Sequence, residues 1–110
     1  MKETIGEYIH QLRIENNLTL TKLAAALDID QSTLSKIENH KRNIPEEILP
    51  KLASLFNLDI TELKKEFLSE KIAELIFKQE NTKEVLELAN EKANYYKEKN
   101  ITQGQINFKQ

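Results

Sequence analysis

The chain has 110 residues, 39% hydrophobic and 31% charged, with a net charge of −2 and no cysteine. That length holds one domain with one modest core, and the composition is globular rather than disordered. Disulfides and thiolate metal sites are excluded, and the longest apolar run falls far short of a membrane span.

The opening MKETIGEYIH lacks the apolar stretch of a signal peptide, so an intracellular, cytoplasmic protein is expected by elimination. Only two glycines and two prolines occur. No stretch alternates apolar and polar residues as a half-buried strand does, so the chain reads as all-α. A first helix is predicted from about Lys2 to Glu15, with Ile5, Ile9 and Leu12 on one stripe and Tyr8 at its border. Arg13 lies beside that stripe, where a charge needs a partner. Asn16-Asn17 ends the helix.

Thr19 is a good N-cap for a second helix whose apolar face is Leu20, Leu23, Ala24 and Leu27. Its alanines 24–26 give high helix propensity and allow close approach of a neighbour. Asp30 caps a third helix after a tight turn. Length and capping alone therefore spell two short helices across a turn.

The third helix, 31–39, has only two inward residues on the helical wheel, Leu34 and Ile37. Ser32, Ser35, Lys36 and Asn39 point away from the core, with Gln31 at the edge. Thr33 and Glu38 fall on the flanks. A net charge of −2 argues in bulk against a nucleic-acid partner, but placement decides such binding. Lys36, Lys41 and Arg42 cluster around His40, whereas carboxylates are spread along the chain.

Pro45 suits the first turn of a fourth helix carrying Ile48, Leu49, Leu52, Ala53 and Phe56 inward. Pro50, deeper in that helix, removes one hydrogen bond and is expected to bend or loosen its start. Asn57 is a left-handed stop, and Asp59 with Glu62 makes a capping-box-like start for a fifth helix. Ile60, Leu63 and Phe67 share one face of it. Leu68, Ile72, Leu75 and Ile76 lie about a third of a turn round, toward a different partner. A last helix starts at Asn81 or Thr82 and carries Val85, Leu86, Ala89, Ala93 and Tyr96. Beyond Asn100, ITQGQINFKQ is polar and expected to fray. The organisation expected is residues 1–67 as one domain, 68–98 as an amphipathic helical extension and 99–110 as a polar tail.

Catalysis finds little support. His10 and His40 have no companion cysteine, no metal-ligand spacing and no nucleophile motif, and read as surface side chains. There is no glycine-rich phosphate loop, so neither cofactor nor metal is expected.

The stretch LTLTKLAAALDIDQSTLSKIENHKRNIP resembles the helix-turn-helix of the XRE group, related to lambdoid phage repressors. The likeness lies in Leu18-Thr19, Leu23-Ala24, Leu27, Ile29, the run Ser32 to Ser35, Ile37-Glu38 and Pro45. Gly6, Arg13 and LPKLASLFNL extend it, so that it covers about residues 4–67. Two features depart from the pattern. Leu20 stands where the family often has a phosphate-holding glutamine, and Asp28 and His40 stand at turns usually made by glycine.

The resemblance implies a five-helix, lambda-repressor-like domain that places its third helix in the DNA major groove. It implies base contacts from Gln31, Ser32, Lys36 and Ser35, with Asn39 near the backbone. Phosphate contacts would come from Thr19, Thr21 and Lys22 and from His40, Lys41, Arg42 and Asn43. It also implies an ion pair between Arg13 and Glu38, which their positions beside apolar stripes support independently. The chemistry agrees: glutamine pairs with adenine, lysine donates to guanine, and small serines allow close approach.

Family members usually bind palindromic operators as dimers, on half-sites about one helical turn apart. The extension fits that need, because two amphipathic helices in some thirty residues bury too little alone; the competing expectation is a hairpin that folds back on its own domain. Leu68, Ile72, Leu75, Ile76, Val85, Leu86, Ala89 and Tyr96 are the candidate dimer contacts. The function expected is a DNA-binding transcriptional regulator, most simply a dimeric repressor. Two alternatives stand beside it: an antitoxin-type protein whose C-terminal helices bind a partner protein, and a restriction–modification controller.

Overall fold

The computed structural model describes residues 3–99. The expected helix start at Lys2 and the fraying tail beyond Asn100 lie outside the described residues. Among the described residues six α-helices follow one another: α1 (Ile5–Glu15), α2 (Leu20–Leu27), α3 (Gln31–Glu38), α4 (Leu49–Phe56), α5 (Ile60–Ile76) and α6 (Thr82–Glu98). No strand occurs among the described residues. The chain divides into two compact units, one ending at Glu74 and the other beginning at Leu75.

The first unit is built around eight fully buried side chains, two from each of α1 to α4. They are Ile5 and Ile9, Leu23 and Leu27, Leu34 and Ile37, and Leu49 and Leu52. Leu63 and Phe67 of α5 close the core, while Leu12 is only half-buried. Fully burying a side chain of this kind is worth about 1.5–3 kcal/mol, so four short helices can hold together around one another.

Each of the first four helices ends in the same way. Asn17, Asp28, His40 and Asn57 are left-handed, with φ between 54° and 58°. The residue after each donates its N–H five positions back: Leu18 to Arg13, Ile29 to Ala24, Lys41 to Lys36 and Leu58 to Ala53, at 2.8–3.0 Å. This closure satisfies carbonyls that a helix end leaves open and is usually locked by an apolar residue just beyond it. Leu18, Ile29 and Leu58 pack against the core in that role. At α3 the corresponding residue is Lys41, which is exposed. The turn that elsewhere tucks a hydrophobe inward here turns a cation outward.

The fourth helix does not begin at Pro45. A single 3-10 turn, Glu46–Ile48, comes first, and α4 starts only at Leu49. Pro45 precedes the turn with an extended backbone (φ −68°, ψ 137°). Pro50 thereby falls in the first turn of α4, where its missing N–H breaks no hydrogen bond. The bend expected within one helix is a change of helix type.

Packing between α1 and α3 leaves no room for a side chain at Gly6. A Cβ there would land on the Ile37 carbonyl oxygen and lie 3.0 Å from its carbon. Gly6→Ala is expected to lose about 1–3 kcal/mol by overpacking, against about 1 kcal/mol of helix propensity gained. A lowered urea midpoint checks it. Beside this close approach, the α1 N-terminus is closed twice. Thr4 and Glu7 form a reciprocal capping box, and the Ile5 N–H donates to Glu70 Oε1 of α5 at 2.8 Å.

Candidate nucleic-acid interface

Helix α3 is held at its ends and from one side. Asp30 caps it, accepting the Thr33 N–H at 2.8 Å. Leu34 and Ile37 are buried, and the opposite side carries Gln31, Ser32 and Lys36 exposed, with Ser35 half-buried. Thr33 is half-buried on the flank. Asn39 follows as the C-cap, exposed, its side-chain amide donating to the Ser35 carbonyl at 2.8 Å. That bond occupies one of the two Asn39 amide N–H donors in closing the helix.

Glu38, last in α3, points the other way. Its side chain is 4% exposed and that of Arg13 is 12% exposed. Arg13 grips the carboxylate with two nitrogens, Nε to Oε2 at 2.8 Å and Nη2 to Oε1 at 3.1 Å. Its remaining arm donates to the Leu18 carbonyl at 3.1 Å. His10 joins from the solvent side, Nδ1 to Glu38 Oε1 at 2.7 Å. Histidine at 10 is the surface side chain expected, 52% exposed, and it also joins this cluster. Its spacing from Arg13, three residues along the same helix, is the signal that sequence reading passed over.

A second polar contact links the two helices of the motif. Thr21 Oγ1 in α2 donates to Gln31 Oε1 at 2.8 Å. Gln31 is thus oriented by its neighbour, with its NH₂ group left free. Thr19 caps α2 through the Lys22 N–H (3.1 Å), so its hydroxyl oxygen already has a partner. Lys22 is exposed on the first turn of α2. Leu20, which departs from the expected glutamine, packs against the core.

Beyond α3, His40, Lys41, Arg42 and Asn43 are all exposed. Arg42 reaches back to the Thr33 hydroxyl at 3.5 Å, a long contact that leaves most of its guanidinium donors uncommitted. One end of α3 thus gathers three cations, Lys36, Lys41 and Arg42, around a polar helix face. Helix N-termini and short cationic loops of this kind suit phosphate oxygens, and the polar face suits base edges. Among the described residues no group of histidines and carboxylates could hold a metal ion.

The Asp30 cap carries a pH dependence. Hydrogen bonds from the Thr33 side chain and backbone hold its carboxyl below the ordinary value of 3.8. A depressed carboxylate adds stability that is complete above its unfolded pKa and is lost as pH falls through the folded one. Asp30→Asn keeps a capping oxygen but removes the titration. Its urea midpoint is expected to fall less steeply than that of the native chain below about pH 4.

Of the residues grouped as dimer contacts, Leu68, Ile72 and Leu75 of α5 are exposed, as are Val85, Leu86, Ala89 and Tyr96 of α6; Ile76 is half-buried. None of the α6 residues is buried. No helix among the described residues is long and apolar enough to cross a membrane.

A model of the helix-turn-helix family matches residues 9–63, half of the chain. No curated protein and no solved structure matches.

Proposed function

Because this chain belongs to the XRE-type, lambda-repressor-like helix-turn-helix family of DNA-binding regulators, we propose that it is a sequence-specific transcriptional repressor. In this reading it works in the cytoplasm, as a dimer on palindromic double-stranded DNA. The observation that carries the reading is the two-sidedness of α3. Leu34, Ile37 and Glu38 fix it from within, while Gln31, Ser32 and Lys36 stand exposed on its outer side. Gln31, Ser32, Ser35 and Lys36 read base edges. Thr19, Thr21, Lys22 and Asn39, with the run from His40 to Asn43, set the register on the phosphates.

The charge favours a dimer. One domain offers few phosphate contacts, and the chain as a whole is acidic, so two reading heads on one operator supply the affinity. We assign the contact between copies to the exposed stripe Leu68, Ile72 and Leu75 of α5, with Ile76 at its edge. Around the α6 residues Val85, Leu86, Ala89 and Tyr96 the lysines and glutamates of 83–99 form a pattern that favours a second reading, a protein partner of the antitoxin kind.

Selection of bound sites from a random duplex pool tests the function. A palindrome is expected, its half-sites about 10 base pairs apart centre to centre. Failure to enrich any sequence at low salt would sink sequence-specific binding, and enrichment of single half-sites would sink the dimer.

A further inference from the structure

Helix α6 has a seam and a charge code. Leu86, Ala89, Ala93 and Tyr96 recur at spacings of three, four and three, the pattern of a helix that pairs along its length. Thr82 continues that seam one turn earlier. Every charged residue of 82–99 falls in one of two places. Lys83 and Lys97 border the seam on one side, Lys92 and Lys99 on the other. Glu84, Glu87, Glu91 and Glu98 all lie on the face away from it. Leu86 and Tyr96 remain 42% and 37% exposed, and none of the described α6 residues is buried.

Pairing two such helices with each other sets lysine against lysine along both borders, whether the helices run parallel or antiparallel. Border charges select partners in helix pairs, and like charges reject them. The seam is narrow and half alanine, which fits a second helix closely but offers little apolar surface to a lipid layer. Lysine borders instead call for carboxylates.

From this we infer that the α6 seam docks an amphipathic helix of another protein, one whose apolar stripe is bordered by glutamate or aspartate. This deepens the protein-partner reading of the extension and leaves contact between copies to the α5 stripe. The Glu-bearing side of α6 faces solvent in such a pair, away from the partner's acids.

Two synthetic three-heptad peptides test it against the full chain. Both carry leucine along the seam, one with glutamate at every border position and the other with lysine. By titration calorimetry the glutamate peptide is expected to bind at least about tenfold more tightly at low salt, with the gap narrowing as salt rises. The charge-reversed chain K83E/K92E/K97E/K99E is expected to invert the preference while keeping its helical circular dichroism. Equal affinity for the two peptides, or none for either, overturns the proposal. So does sedimentation showing that the native dimer falls apart in the charge-reversed chain, or binding to phosphatidylglycerol vesicles without peptide preference. Site selection is a separate readout. A chain that enriches an operator but ignores the peptides loses only this inference, whereas one that enriches nothing loses the DNA-binding proposal.

Discussion

Glu38→Ala is expected to cost about 3–5 kcal/mol of folding stability, the range for stripping one partner from a buried ion pair. The loss comes less from the bonds removed than from what remains. Arg13, 12% exposed, would keep its charge with the Leu18 carbonyl at 3.1 Å and the His10 ring nitrogen at 3.3 Å in place of a carboxylate. Glu38→Gln retains the shape and part of the hydrogen bonding, so a smaller loss is expected. The paired replacement Arg13→Met with Glu38→Leu should recover most of the stability, because well-packed apolar groups often equal or exceed a buried ion pair. Urea unfolding of the four proteins checks the set. A Glu38→Ala midpoint equal to the native one would show that the pair is ornamental.

The same ion pair explains an otherwise awkward residue. A carboxylate at the last position of a helix opposes the macrodipole, at about 0.3–1 kcal/mol on an exposed surface. Glu38 tolerates that position because Arg13, in the last turn of α1, supplies the compensating charge. The pair also fixes α3 against α1 at the end nearest the cationic run. Together with the close approach of Gly6 to Ile37 it sets how far α3 projects.

Much of this was legible from residue spacing. Thr19 and Asp30 announced the starts of α2 and α3, and Leu34 with Ile37 announced which side of α3 is buried, because capping and periodicity are local signals. The start of α4 was not legible. Pro45 and Pro50 each suit a first turn, and only the choice of a 3-10 turn over 46–48 decides between them. Asp28 and His40, standing where glycine is usual, adopt the left-handed conformation that glycine would. Asparagine and aspartate tolerate it through their short polar side chains, and histidine at 40 more narrowly. The partners of His10 and of Gln31 depended on packing between helices, 28 and 10 residues apart in sequence, which no local rule supplies.

Replacing both Gln31 and Lys36 with alanine is expected to remove most of the preference for the selected operator. Each good pairing with a base edge is worth about 1–3 kcal/mol, so the two together are worth about 2–6 if they act independently. Neither side chain enters the core, so the folded state should be unaffected and the loss should appear in specific binding alone. Lys41→Gln with Arg42→Gln gives the contrasting signature. Those cations stand exposed on the turn beyond α3; in the proposed reading they meet phosphate whatever the sequence, so binding should weaken alike on operator and random DNA. The slope of log affinity against log salt should then shrink by about 1 for each phosphate left unmatched. Fluorescence anisotropy on operator and scrambled duplexes, across a salt series, separates the two effects. If the Gln31 and Lys36 double variant kept its operator preference, the bases would have to be read from some other face than the outer side of α3. Thr21 would then be holding Gln31 in place for no purpose in recognition.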